Sequence, residues 1–328
     1  MVIASAPAKV ILFGEHFVVE DKLAIAAAIN LRAKVSADFN DSNFISISSD
    51  INSPNPIRIP TNMIISGNFH SYNSSITPLL LILHEFSSKH HLLDRGIDIS
   101  IKSEIPMGAG LGSSAAVFVA FSAAILKLYN VKFNPYDVIE LASKGESLAH
   151  GKPSGIDTTI SAFGGILLYR RSQGFNQLNV KFNAPIILGI TTEHRSTADM
   201  VNKVLKLKYK YPSIFNLIYD ANDKIVEEAV NALLYGDINR LGELLNISHG
   251  LLSSLGISTL NLERLIYAAR NAGAYGAKIT GAGGGGAIIA ISNESTVSSI
   301  SKAINDNGGK AIISYISDYG VNVGECSN

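Results

Sequence analysis

Cysteine is nearly missing from this 328-residue chain: Cys326, close to the C-terminus, is the only one. No disulfide can form within the chain, which suits a reducing compartment. An excess of one charge is missing too. Its 27 basic residues balance 27 acidic ones, so composition gives no support to nucleic-acid binding. The densest basic stretch, Lys203, Lys206, Lys208 and Lys210, reads as a solvated helix face and loop. Long apolar runs are also lacking. The longest, residues 115–126, falls short of the about 20 residues that span a bilayer, and reads as a buried helix. Lys9, Glu15 and His16 interrupt the N-terminus too early for a secretory leader, so a cytoplasmic protein is expected. Besides His16, the histidines (His70, His84, His90, His91, His150, His194 and His249) show no ligand spacing, and no zinc site is expected. There is no repeat of solenoid period and no low-complexity tail.

What is present is a large apolar fraction, 47% of residues. That suffices for a substantial core, in one large domain or two moderate ones. Residues 2–6 read as a short strand. Alternation over 31–39, continued by Ile45 and Ile47, predicts a hairpin with Asn40-Asp41 in the turn. The Pro- and Asn-rich stretch 52–62 reads as loop. Helical spacing covers 77–90, and Ile97, Ile99 and Ile101 mark a strand. Helices are expected over 115–129, 135–150 (with Asn134 as N-cap before Pro135) and 156–162, then a strand over 166–169. Residues 170–185 read as a connection, with a soft domain boundary there. Beyond it come a strand at 186–191, helices at 197–207, 213–235, 238–252 and 261–272, strands at 277–280 and 287–291, a helix at 294–305 and a strand at 310–316. This is the order of a split β-α-β sandwich, so the fold class is α+β.

The chain centres on residues 104–116, where Gly108, Gly110 and Gly112 alternate ahead of Ser113-Ser114 and an apolar helix. Glycine reaches positive φ and lets a ligand approach the backbone. The following helix start offers unpaired N–H groups and a positive dipole end, which together make an anion site. The pattern is neither a P-loop nor a dinucleotide fingerprint. A serine at the helix start can ligate Mg²⁺, although an ordinary tight turn with a serine cap would use the same residues. A second run, Gly281 with Gly283 to Gly286, has more glycine than a hairpin requires. Close approach by a ligand or another backbone would explain the excess; so would a long flexible hairpin. Glu146 at a helix end and Asp157 after a breaker cluster can converge on one cleft. There one could hold Mg²⁺ and the other accept a proton from an attacking hydroxyl. Lys9 beside Asp157 would keep that carboxylate ionised.

These residues together resemble the GHMP small-molecule kinases. The motifs are Pro7-Ala8-Lys9 with Gly14-Glu15-His16; Pro106-Met107-Gly108-Ala109-Gly110-Leu111-Gly112-Ser113-Ser114-Ala115-Ala116; and Lys278-Ile279-Thr280-Gly281-Ala282-Gly283-Gly284-Gly285-Gly286. Gly145-Glu146 followed by His150-Gly151-Lys152-Pro153-Ser154-Gly155-Ile156-Asp157 is similar to the mevalonate-phosphorylating branch. Galactokinases differ after the equivalent Ser-Gly, and homoserine kinases are not expected to carry an aspartate there. The resemblance spans nearly the whole chain. It implies an N-terminal ATP-binding α/β domain (residues 1–175), a C-terminal ferredoxin-like domain (176–328) and an active site in the cleft between them.

It also implies ATP as co-substrate, Mg²⁺, and mevalonate as the small-molecule substrate in isoprenoid biosynthesis. Other acceptors of the superfamily, phosphomevalonate or a sugar, are the alternatives. Residues 106–116 are expected to wrap the ATP phosphates, Ser114 and Glu146 to hold Mg²⁺, and Asp157 to act as base beside Lys9. Glu15, His16 and Thr197 (in Arg195-Ser196-Thr197) are expected on the substrate side. Neither nucleic acid nor membrane is an expected partner, and a homodimer is compatible with the reading. One stretch departs from the family: Phe17-Val18-Val19-Glu20-Asp21 puts two acids where an aromatic or histidine and a glycine are usual.

Overall fold

The computed structural model describes residues 1–50, 53–69, 72, 75–151, 154–193 and 196–325. The first half holds β1 (Val2–Phe13), a 3₁₀ turn (Phe17–Glu20), β2 (Ala24–Asn40), β3 (Phe44–Ser49), β4 (Ser53–Pro60), α1 (Thr61–Ile65), α2 (Thr77–His90) and β5 (Gly96–Ser103). It continues with α3 (Ser113–Leu128), α4 (Pro135–His150), α5 (Ile156–Phe163), β6 (Ile166–Arg170) and β7 (Gly174–Leu178). The second half holds β8 (Ile186–Ile190), α6 (Thr197–Lys210), α7 (Pro212–Tyr235), α8 (Ile238–Ser254), α9 (Leu260–Asn271), β9 (Gly276–Thr280) and β10 (Ala287–Ile291). It ends with α10 (Val297–Asp306), β11 (Lys310–Ser314) and β12 (Asn322–Glu325).

Two sheets organise these elements. The first runs β12-β1-β2-β5-β3-β4, with β6 paired to β2 and β7 to β6. The second is antiparallel in the order β11-β8-β10-β9, the ferredoxin-like arrangement expected. Helix α3 is the hub of the first half. Phe118, Val119, Phe121 and Ile125 are all buried, as are most of its remaining positions. A helix apolar all round belongs in a core, and each such large side chain contributes on the order of 2 kcal/mol by leaving water. Helix α4 starts where Asn134 accepts from the Tyr136 and Asp137 N–H groups while the Asp137 carboxylate takes the Asn134 N–H, a reciprocal cap. No described helix is long and apolar enough to cross a membrane.

Three expectations are corrected. The 31–47 hairpin does not form: β5 lies between β2 and β3, antiparallel to the first and parallel to the second. The loop after β2 instead crosses the start of β5 at Gly96. There the Gly96 N–H donates to the Ser42 carbonyl at 2.7 Å, and a methyl group would collide with Asn40, Ser42 and Phe44. The stretch 52–62 contains strand β4, whose Ile57 and Ile59 pair with Ile47 and Ile45. Its prolines are tolerated because β4 is the sheet edge. The connection 170–185 contains β7. Residues beyond β11 return to the first sheet: the Ser317 N–H donates to the Ala28 carbonyl at 2.9 Å, and β12 pairs with β1. Cys326 lies outside the described residues.

At Gly96 the Asn40 side chain could shift aside, but the Ser42 and Phe44 carbonyl oxygens, 2.4 and 2.6 Å from an added Cβ, belong to the backbone. Gly96→Ala should therefore cost about 1–3 kcal/mol, the range for overpacking. It would be read as a lower midpoint in chemical denaturation; an unchanged midpoint would mean that the crossing loop can shift freely.

Candidate active site

The first glycine turn connects β5 to α3. Gly108, Gly110 and Gly112 have φ of 69°, 76° and 71°, the left-handed region that disfavours side chains. Between them Ala109 and Leu111 are buried, while Gly108 and Gly110 face solvent. The turn thus anchors alternate residues and presents bare backbone outward. Ser113 and Ser114 form the first turn of α3, with Ala115 and Ala116 buried beneath. Pro106 is half-buried, and Met107 projects outward.

Lys9 secures this turn twice. Its main-chain N–H donates to the Leu111 carbonyl at 2.9 Å, beside a β-bulge at Pro7/Ala8. Its side chain lies so close to Gly112 that an added Cβ would meet Cγ at 2.8 Å. The buried Lys9 ammonium is 3.1 Å from Asp157 Oδ1, at the start of α5. Glu146 reaches the same place from α4 and is only 5% exposed. Burial, and then the charge of Asp157, push its carboxyl up to about 7, against the opposing pull of Lys9 and Thr158. Its Oε2 is buried without a hydrogen-bond partner.

One cation and two carboxyl groups sit in a partly dry cleft, one carboxylate oxygen among them unsatisfied. That donor set fits Mg²⁺, a hard cation that takes one or two carboxylates and fills its sphere with phosphate and water oxygens. Among the described residues, no group of three or more His, Cys, Asp and Glu side chains forms a full metal cage.

Glu15 and His16 approach from the opposite side, where they meet the second glycine run. His16 has φ 62° and donates from Nε2 to the Ala282 carbonyl at 2.8 Å. Burial lowers its pKa, which favours the neutral ring. Glu15 forms a buried ion pair with Lys278 of β9. The Thr280 hydroxyl bridges both backbone groups of Ile11, accepting at 3.1 Å and donating at 3.2 Å. The excess glycine is explained by neighbouring backbone. An added Cβ would collide with the Ile257 carbonyl oxygen at Gly283 (2.6 Å) and with that of Glu193 at Gly285 (2.4 Å), while Gly281 and Gly286 lie in van der Waals contact with Gly110 and Ala109 of the first turn. The Gly284 and Gly286 N–H groups donate to the Ile257 and Glu193 carbonyls at 2.7 and 2.9 Å.

Lys9, Glu146 and Asp157 are therefore brought together below the first turn, with Glu15 and His16 held to its glycine-rich neighbour. Thr197 is exposed at the start of α6, and no hydrogen bond or ion pair among the described residues ties it to this group. Lys152, Pro153 and Arg195 lie outside the described residues. Sequence reading gave no individual role to Lys278, whose signal is a lone lysine inside an apolar strand. It also overlooked Glu193. That carboxylate accepts from Thr259 and Asn261, both at 2.7 Å, and fixes the loop leading to α6.

A carboxyl whose folded pKa lies above its ordinary 4.5 holds its proton more tightly when folded. It favours the folded state at low pH, and that contribution is lost as pH rises through about 7. Glu146→Gln should therefore stabilise the metal-free protein at pH 8 by an amount on the order of 3 kcal/mol, and hardly change it at pH 5. Thermal unfolding at both pH values tests this; equal midpoints for the two proteins at pH 8 would reject a strained Glu146.

Comparison with known proteins agrees with this geometry. The family description "GHMP kinases N terminal domain" matches residues 79–165, and "GHMP kinases C terminal" matches 224–310. The chain is 42% identical to a mevalonate kinase of Thermococcus sibiricus, over 98% of each chain. It is similar to the crystal structure of L. major mevalonate kinase in complex with R-mevalonate, with TM-score 0.82 and 31% identity, over 95% of this chain and 94% of that one. The Methanococcus jannaschii mevalonate kinase gives TM-score 0.86 at 28% identity, over 97% and 98% of the two chains. On these matches, and with the glycine turn, Lys9 and both carboxylates in one cleft, the chain belongs to the GHMP kinases and, within them, to the mevalonate kinase family.

Proposed function

We propose that this chain transfers the γ-phosphoryl group of ATP to the primary hydroxyl of mevalonate, giving 5-phosphomevalonate and ADP. The observation that carries the reading is the Lys9–Asp157 pair, packed against Gly112 at the end of the glycine turn. A hydroxyl next to Asp157 would face a phosphate seated on that turn. The exposed backbone of residues 106–116 and the start of α3 bind the ATP phosphates. Asp157 accepts the hydroxyl proton as the new P–O bond forms, and the bond to the β-phosphate oxygen breaks in line, without a phospho-enzyme. Lys9 keeps Asp157 ionised and offsets negative charge on the reacting oxygen. Mg²⁺, held by Ser114 and Glu146, would neutralise phosphate charge when bound. Glu15, His16 and Thr197 form the acceptor side. His16 uses its Nε2 proton on Ala282, so it shapes the pocket and carries no proton in the reaction. Positioning and charge neutralisation supply most of the rate. We further propose a two-domain division near residue 175, with the chain end returning to the first domain through β12.

Asp157→Asn preserves shape and removes the base. Turnover should fall about 10²–10⁴-fold, the usual contribution of a general base, while ATP binding stays near wild type. Full turnover in this variant would sink the assignment. Ser114→Ala should raise the Mg²⁺ concentration needed for half-maximal rate; an unchanged Mg²⁺ dependence counts against its role. A coupled ADP-release assay with mevalonate, phosphomevalonate and galactose tests the acceptor, and a preference for either of the last two would replace the substrate proposed.

A further inference from the structure

All five residues of β9 are buried, and one of them is Lys278, with no exposed surface at all. A lysine in that position needs a reason, because an ammonium is costly to remove from water. It donates to the Ile279 carbonyl at 2.7 Å and to Glu15, 263 positions away in the chain. Besides Lys278, the Glu15 carboxylate engages its own backbone N–H and feels the charge of Lys9, while its second oxygen is buried without a partner among the described residues. The backbone turns through positive φ on either side of Glu15, without cost at Gly14 (97°) but unfavourably at His16 (62°). Such a segment stays in place only where its surroundings over-determine it. Two contacts supply this, both from one stretch of chain: Lys278 holds Glu15, and the Ala282 carbonyl holds His16. The same stretch rests on the phosphate turn through Gly281 and Gly286.

We propose that Lys278 is a positioning residue. Acting through Glu15, it holds the Gly14-Glu15-His16 segment in the geometry that receives the acceptor, in register with the phosphate turn. The inference rests on the assignment of Glu15 and His16 to the acceptor side. Loss of Lys278 leaves the Glu15 carboxylate without its compensating charge and frees the segment to relax. The acceptor side then loses its shape, while Lys9, Asp157 and the phosphate turn keep their own contacts.

The test is a double-mutant cycle of Lys278→Met and Glu15→Gln, with KM and kcat for ATP and for whichever acceptor the wild-type protein phosphorylates. Lys278→Met should raise the acceptor KM at least tenfold and change the ATP KM less than threefold. The double variant should be no worse than the poorer single one, because the two residues act as a unit. A merely structural lysine would lower the folded fraction, so kcat would fall with both KM values unchanged, and that result overturns the proposal. So would losses that multiply in the double variant. Should Lys278→Met fail to fold, adding it to Glu15→Gln, where no buried charge is left unpaired, still decides: an unchanged acceptor KM supports the proposal, and a further tenfold rise overturns it. Failure of the substrate reading is separate, since it shows in the wild-type protein as turnover of a different acceptor.

Discussion

The cleft depends on one close approach, that of two glycine runs from opposite ends of the chain. Gly110 and Gly281 face each other at van der Waals distance, and both have the positive φ that favours glycine. That contact joins the first sheet's glycine turn to the loop that follows strand β9 of the second sheet. Glycine makes it possible and also costly, since a run of four loses more backbone entropy on folding than any other residues would. Main-chain hydrogen bonds from Gly284 and Gly286 to the loops at Ile257 and Glu193 offset part of that loss. The second run therefore serves as packing for the first turn and for the loops at Ile257 and Glu193.

Two buried groups of charge flank the contact, and they differ in what surrounds them. Lys278 and Glu15 are sealed and balanced. A pair of this kind adds little net stability, because desolvation opposes the attraction, but losing one partner is expensive. It acts as a constraint on geometry. Lys9, Asp157 and Glu146 are different: two carboxyl groups meet one ammonium, and Asp157 keeps more than a quarter of its side-chain surface open. Burial first, and then the neighbouring charge of Asp157, push the Glu146 carboxyl up to about 7. Each group keeps one buried carboxylate oxygen without a partner, on Glu15 and on Glu146, but only the second has more carboxyl groups than cations, and there a metal ion would supply the missing positive charge.

Elements with local chemistry at their ends were legible in the sequence. Helices α2 and α4 run over the expected residues, because Pro78 and the Asn134-Pro135 start are marked by cap and first-turn residues. What failed was non-local. Alternation at 31–47 shows two strands but not that β5 separates them, since the deciding contact is Gly96 against residues more than 50 positions earlier. The prolines of β4 argue against a strand unless it is known to be an edge. In the site, the Lys9–Asp157 pair followed from the chemistry needed of those residues. The Glu15–Lys278 pair could not be read in the same way: an apolar strand pattern shows that Lys278 is buried, but nothing in it names a partner at the other end of the chain.

The departure at residues 17–21 can now be placed. Phe17 is buried against Tyr219 of α7, edge to face at 5.4 Å. Glu20 pairs with Lys208 of α6, and the Asp21 carboxylate accepts the Ser172 N–H at 2.7 Å. Asp21 is in the left-handed region, where the family's glycine would sit without strain. The next residues continue the pattern: Lys22 pairs with Asp220, and Asp223 accepts the Leu23 N–H. Both added acids are thus engaged by α6 and the β6–β7 turn, so their charge is answered there. In place of a glycine turn the chain has side-chain ties between the segment after Gly14-Glu15-His16 and the helices of the second half. What this changes is how firmly Gly14-Glu15-His16 is anchored from its C-terminal side, complementing the hold of Lys278 from below.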